Sequence, residues 1–565
     1  MKKNISIGDQ DFETIRRENL FYIDKTGLIK EWWENKDSVT LITRPRRFGK
    51  TLNMSMMQQF FSLDYAGRGD LFEGLSIWQE EAYRNLQGTY PVIFLSFADV
   101  KESTFLQARE DICRIICRLY RNYDFLLESE VLDVKEKEEF RSISPHMGKS
   151  AAAFSLKTLS DYLARYYGKK VIILLDEYDA PMQEAYVNGY WEEMSGFMRS
   201  FFNSTFKTNP YLKRALMTGV TRVSKESIFS DFNNPEVVTT TSEKYEECFG
   251  FTEEEVFEAL DEYGLSDRKE EVKKWYDGFT FGRKRDIYNP WSITHYLSKG
   301  KVGTYWANTS SNRLAGKLIQ EGSRSIKQDF ELLLQGSHIE TELDEQVVYG
   351  ALSGQKASIW SLLLACGYLK VVKQEFCEES GRYVYTLALT NREVKLMFET
   401  MIQGWFREEA EDDYNDFVAA FLVGNVKAMN RYMNEVALKT FSCFDTGKKP
   451  SRSEPERFYH GFVLGLIVDL GRKYIITSNR ESGFGRYDVM LEPKDKTGDG
   501  ILLEFKVHDP EDEASLEETA KAALAQIEKK AYAESLIARD IAAEKIRSYG
   551  FAFEGRKVLI RGARS

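Results

Sequence analysis

Four apolar runs of strand length recur in the first 220 residues: Val39 to Ile42, Val92 to Leu95, Val171 to Leu175 and Ala215 to Met217. Helical stretches separate them. Continuous runs of this kind need cover on both faces, and with helices between the strands the arrangement that supplies it is a parallel sheet. The expected class for this region is doubly wound α/β. Later segments differ in pattern. From Thr252 the chain turns helical and charged, through 253–262 and 267–275. A helix around Ile359 to Leu364 leads into two strand-like runs, Gly367 to Val372 and Tyr383 to Leu387, with another helix from Asn391. That order suits a winged-helix-like module, with a structural spacer as the plainer alternative.

At 565 residues the chain has room for three or four domains. Its composition, 43% hydrophobic and 29% charged, is that of a packed protein rather than a disordered one. A net charge of −11 excludes a global basic field, so contact with nucleic acid needs a local patch. No apolar run reaches the roughly 20 residues of a membrane span, and the first residues lack the apolar core of a secretion signal. Cys113 and Cys117, four apart on an apolar helix face, read as core. The five histidines are never paired at ligand spacing. The expectation is a cytoplasmic, reduced protein without structural metal or membrane partner.

The first run feeds Arg44-Pro45-Arg46-Arg47-Phe48-Gly49-Lys50-Thr51, and a helix follows. Strand, Gly-Lys-Thr, helix is the arrangement that sets backbone N–H groups and a helix N-terminus against phosphates. Lys50 is placed to reach the β- and γ-phosphates of ATP and Thr51 to hold Mg2+. Arg44, Arg47, Phe48 and Gly49 are the other loop residues set against the nucleotide. Arg44 stands where such loops ordinarily carry glycine. The third run ends in Asp176-Glu177, where Asp176 is a candidate metal ligand and Glu177 a candidate activator of the attacking water; an N-cap for the helix after Pro181 is the alternative. Past the fourth run, Thr218 is a candidate γ-phosphate sensor. Arg222 is a candidate charge stabiliser or a surface ion pair.

These residues carry a resemblance. Phe21-Tyr22-Ile23-Asp24-Lys25-Thr26, the 43–51 loop, Leu175-Asp176-Glu177-Tyr178-Asp179, Tyr276-Asp277-Gly278-Phe279 and Tyr288-Asn289-Pro290-Trp291-Ser292 closely resemble bacterial AAA-ATPase-like proteins that end in a PD-(D/E)xK nuclease-like domain. Arg44 is normal for that family. The resemblance implies an ATPase domain and a C-terminal restriction-endonuclease-like α/β domain; together with the pattern between them, the expected bounds are 1–250 for the ATPase domain, 251–325 for a helical lid-like segment, 326–410 for a winged-helix-like connector and 411–565 for the nuclease-like domain. It also leaves Asp24-Lys25-Thr26 as a cap for the nucleotide pocket. Arg46 and Arg47 have three destinations open: the phosphates, the Asp24 region, or a neighbouring subunit of a homo-oligomer.

The last region reads as a hairpin, Arg486 to Leu491 and Ile501 to Val507. Alternation puts Glu504 and Lys506 on one face and Leu503, Phe505 and Val507 on the other, with Asp488 on the adjacent strand. Neighbouring carboxylates favour a divalent cation that polarises a phosphodiester, with Lys506 positioning the nucleophile; an exposed ion pair is the alternative. By the resemblance, Glu456 supplies a further acid and Gln526 lines the site. Two functions follow. One is an ATPase coupled to a Mg2+-dependent nuclease acting on nucleic acid, DNA by the habit of the superfamily. The other is a nucleotide-gated switch or scaffold without cleavage, which the bulky Arg44 favours.

Overall fold

The computed structural model describes the chain apart from residues 1, 223–234, 308–312, 321–322, 335, 344–355, 380, 441–462, 464–466, 468–469, 471–472, 483–484, 497, 510–512, 530–531, 555–556 and 565. It divides into two compact units, Met1–Met397 and Phe398–Ser565. Among the described residues no helix is long and apolar enough to cross a membrane, and five cysteines are free thiols.

The four expected strands of the first unit form as β1 (Val39–Thr43), β2 (Val92–Ser96), β3 (Val171–Asp176) and β4 (Leu212–Gly219). A three-residue β5 (Glu236–Val238) joins them, and the order is β2-β3-β4-β1-β5. Every pairing is parallel. One face, through Ile42, Ile172, Leu174 and Leu216, packs on Met54, Met57, Phe60 and Phe61 of α1 (Lys50–Phe61). The alternate residues Leu41, Ile173, Leu175 and Met217 are equally buried. The sheet is thus covered on both faces, as its unbroken apolar runs require.

Beyond this sheet come β6 (Phe251–Thr252), α3 (Glu253–Glu262), β7 (Phe279–Phe281), β8 (Lys284–Tyr288) and α4 (Pro290–Lys299), preceded in the chain by α2 (Ala180–Asn188). Asn289 starts α4 by accepting from the N–H groups of Trp291 and Ser292. The expected helix-and-hairpin module forms from the helix Lys356–Ala365 with β10 (Leu369–Cys377) and β11 (Arg382–Leu389). A further strand, β9 (Ile339–Glu342), pairs with β11. Its sequence, Ile-Glu-Thr-Glu, carries no apolar run to announce it.

In the second unit the sheet order is β12 (Tyr474–Ser482), β13 (Gly485–Pro493), β14 (Gly500–Val507), β15 (Ile546–Glu554) and β16 (Lys557–Arg564). Only β14 and β15 pair in parallel; the other pairings are antiparallel. A helix, α5 (Leu516–Lys529), packs closely on β15: a Cβ at Gly550 would stand 2.5 Å from the Ala520 carbonyl oxygen.

The Asp24-Lys25-Thr26 motif fastens elements of the first unit together. Asp24 accepts from Thr26 N (2.9 Å), Thr26 Oγ1 (2.6 Å) and Ser76 N (2.7 Å). Lys25 Nζ meets Glu255 at 2.7 Å and donates to the Glu247 carbonyl at 3.0 Å. Glu255 in turn completes the capping box of α3 with Thr252. Removing one partner of a buried pair leaves the other uncompensated, and Glu255 keeps 26% of its side-chain exposure. Lys25→Met is therefore expected to destabilise the first unit by about 2 kcal/mol, below the full buried-pair cost, as read by urea unfolding; an unchanged midpoint would show the pair to be idle.

Glu253, Asp277 and Asp286 bring carboxylate oxygens within 4.8 Å of one another, with Lys273 on Glu253 at 2.5 Å. Burial, then the Asp286 carboxylate, pushes Asp277 up to about 7, against the pull of Lys273 and Lys370. The folded chain thus holds this proton more tightly than the unfolded chain between about pH 4 and 7, so the group lowers stability as pH rises through that window. Asp277→Asn removes this slope. The variant's Tm relative to the parent is expected to improve from about pH 4 to about pH 7 and to level off above it.

Candidate nucleotide and nuclease-type sites

The 44–51 loop is shaped by what its side chains bury. Arg44 is fully buried, and its guanidinium donates to the carbonyls of Thr43 (2.9 Å), Thr239 (2.9 Å) and Tyr245 (3.2 Å). It also lies 4.4 Å from the centre of the Phe281 ring. Burial lowers its pKa to about 10. Phe48 packs edge-on against Phe279 and Phe281, with centroids at 4.8 and 5.4 Å. Arg47 reaches out over the Trp291 ring at 4.3 Å. The Arg46 carbonyl accepts from the Trp306 indole (3.0 Å) and from Asn289 Nδ2 (3.4 Å). The side chains of Arg44 and Phe48, both expected against the nucleotide, thus go into the segment from 239 to 281.

The backbone explains why arginine is tolerated at position 44. The left-handed residues of the loop are Arg47 (φ 65°) and Gly49 (φ 78°), and Arg44 is not among them. Glycine's conformational freedom is needed at 49, not at 44.

Lys50, Thr51, Asp176 and Thr218 come together at the C-terminal end of the sheet. Thr51 Oγ1 donates to Asp176 Oδ2 at 2.7 Å, and Thr218 Oγ1 donates to Asp176 Oδ1. Burial raises the Asp176 pKa, and these two hydrogen bonds oppose the rise. Lys50 Nζ donates to the carbonyls of Arg44 (3.0 Å) and Pro45 (2.9 Å). Burial lowers its pKa, against the charges of Glu177, Asp176 and Asp179. Glu177 is half-buried at φ 49°, a second non-glycine residue held in the left-handed region beside this cluster. Arg222 is half-buried on the loop that leaves β4.

A residue without a role in the sequence reading lies here too. Asp179 occupies the N-cap position of α2 but makes no capping hydrogen bond. Its carboxylate accepts instead from the loop after β4. Its spacing from Asp176 was the available signal, but locally it reads only as a helix start.

In the second unit, strand alternation sorts β14 as expected. Ile501, Leu503 and Phe505 join one core, while Leu502 joins another with Ile527 and Tyr532. Glu504 falls on the Leu502 side, 2% exposed. Gln526 Nε2 of α5 donates to its Oε1. Lys506, half-buried, is the next position on that face. Asp488 lies on β13, one register step from the Val489–Leu503 pair and thus level with Glu504. Beyond the strand, His508 Nδ1 is 2.9 Å from Thr519 Oγ1 of α5, a contact unforeseen from sequence. Glu456 lies outside the described residues.

Comparison with known proteins matches both regions. Residues 6–229 match the family described as Predicted AAA-ATPase, and residues 454–562 match the PD-(D/E)XK nuclease superfamily. The chain is also 25% identical over 326 residues to an uncharacterized protein in the vnfD 5′ region of Azotobacter chroococcum mcd 1. That match covers 57% of each chain, so this chain spans little more than half the length of that relative. Strands β1 to β4 of the parallel sheet fall within the first match and the mixed sheet of the second unit lies in the region of the second, and the chain therefore joins an AAA-ATPase-like domain to a C-terminal PD-(D/E)XK nuclease superfamily domain.

Proposed function

We propose that this chain binds and hydrolyses ATP and that its nucleotide state controls a Mg2+-dependent nuclease domain acting on DNA. The observation that carries the reading is the convergence of Thr51 and Thr218 on the single carboxylate of Asp176, beside Lys50. A hydroxyl and a carboxylate 2.7 Å apart are hard oxygen donors of the kind Mg2+ takes. Glu504, nearly buried and oriented by Gln526, suits the same ion in the second domain. When bound, Mg2+ supplies Lewis-acid polarisation of a phosphoryl oxygen at each site.

The chain's own residues divide the remaining work. Lys50 exchanges its loop carbonyls for the β- and γ-phosphates, while Thr51 and Asp176 hold the ion. Glu177 orients the attacking water, and Arg222 offsets charge on the transferred group. Arg47 and Gly49 turn the loop so that its N–H groups meet the phosphates. In the nuclease domain Asp488 and Glu504 hold the ion and Lys506 positions the nucleophile, with Glu456 as a further acid. DNA is favoured over RNA by the general habit of the superfamily. The five free thiols suit a reducing compartment such as the cytoplasm. Arg44 favours the switch reading by its bulk, and the burial of that side chain against the Thr239 carbonyl weighs on the side of the ATPase reading.

Lys50→Ala is expected to weaken binding of a fluorescent ATP analogue at least a hundredfold while leaving the thermal unfolding profile in place. Unchanged affinity would defeat the nucleotide-site assignment. For the second domain the test is cleavage of labelled single- and double-stranded DNA with Mg2+ or Mn2+, with and without ATP. Glu504→Ala is expected to abolish cleavage without altering ATP affinity. Equal cleavage by parent and variant would trace the activity to a contaminant, and no cleavage by an ATP-binding parent would return the chain to the switch reading.

A further inference from the structure

We infer that Asp179 is a positioning residue of the nucleotide site, locking the loop after β4 and the tip of the phosphate-binding loop into one frame. The inference rests on the ATP-hydrolysing reading above. Asp179 is 2% exposed. Its Oδ2 accepts from Val220 N (3.0 Å), Thr221 N (2.8 Å), Thr221 Oγ1 (2.8 Å) and Gln183 Nε2 (3.0 Å). Four donors on one oxygen leave a buried carboxylate no second position of comparable energy.

The network runs in two directions. Toward β4 it fixes Val220 and Thr221, between Thr218, which donates to Asp176, and Arg222. Tyr178 reinforces this side, its N–H on the Thr218 carbonyl (3.0 Å) and its hydroxyl on the Thr221 carbonyl (2.8 Å). Toward the phosphate-binding loop, Gln183 uses its Oε1 to accept from Arg46 at 3.1 Å. Gln183 therefore bridges Asp179 to the residue whose carbonyl Trp306 and Asn289 hold. Asp179 touches none of the groups assigned to phosphate or ion; it acts through Thr218, Arg222 and Arg46.

The other carboxylate oxygen supplies an independent handle. Oδ1 lies against Gly219, where a Cβ would stand 2.6 Å from it and 2.7 Å from the Tyr178 ring. Gly219→Ala thus crowds both the Asp179 carboxylate and the Tyr178 ring, the two side chains that hold the loop after β4, while leaving each in the chain. Asp179→Ala removes it, and Asp179→Asn keeps one acceptor oxygen.

The experiment is steady-state ATP hydrolysis by the full-length protein, with fluorescent-ADP binding and thermal unfolding measured on each variant. Asp179→Ala and Gly219→Ala are expected to lower kcat by about tenfold or more with ADP affinity within about threefold of the parent, and Asp179→Asn to lose less than Asp179→Ala. Should Asp179→Ala fail to fold, Gly219→Ala and Asp179→Asn carry the test. Parent-like kcat in the folded variants overturns the inference. So does a fall in kcat matched by equal losses of ADP affinity and Tm, the mark of a merely structural role. Lys50→Ala separates the two readings. A parent without turnover, or one equalled by Lys50→Ala, defeats the ATPase reading and this inference with it. An active parent, a dead Lys50→Ala and parent-like Asp179 variants defeat this inference alone.

Discussion

The burial of the Arg44 guanidinium is the constraint on which the first unit's site depends. A charged group taken out of water must find donors or acceptors that stay in place. Arg44 finds three carbonyls, one from its own strand and two from the segment that follows β5, and rests on the ring of Phe281. Phe48 adds apolar contact with the same strand, β7. The 44–51 loop cannot shift without disturbing a buried cation and a buried aromatic. Its geometry is therefore set by the segment from Thr239 to Trp306, the kind of support that preorganises a loop.

The two domains solve a similar problem in similar ways. In each, a carboxylate on a buried strand is oriented by an uncharged side chain from a neighbouring element. Asp176 takes hydroxyl donors from α1 and β4, and Glu504 takes an amide donor from α5. A neutral donor fixes the direction of a carboxylate without cancelling its charge.

What was legible in the sequence follows from how local each cause is. The parallel sheet was readable because a strand buried on both faces must be apolar throughout, and the β14 face was readable because alternation is a two-residue rule. The length of β4 was not, since Lys213 and Arg214 interrupt its apolar run. Arg214 is held there by carbonyls of Trp32 and Trp33, some 180 residues distant. Nor was β9, whose polar residues are in a strand only because β11 offers a partner. Lys25 and Asp179 show the same limit. Lys25 lies in a segment that the resemblance gives as a cap for the nucleotide pocket, and Asp179 reads locally as a helix start, yet each is fixed by a partner far along the chain, at Glu255 and at Thr221.

Arg44 shows how a residue can break a motif's pattern and keep its physics. A phosphate-binding loop needs N–H groups turned inward ahead of a helix N-terminus. That requirement is on φ and ψ at particular positions, and glycine is the common way to meet it where φ is positive. Here the positive values fall at Arg47 and Gly49. Position 44 asks only for ordinary backbone, so its side chain is free to do something else. What it does is anchor the loop to the segment beyond β5. The cost of the left-handed turn falls instead on Arg47, a non-glycine residue, with Phe48 buried after it and Trp291 under its guanidinium to hold the turn in place. The substitution that most weakened the case for a working phosphate-binding loop is thus the one that keeps this loop in shape.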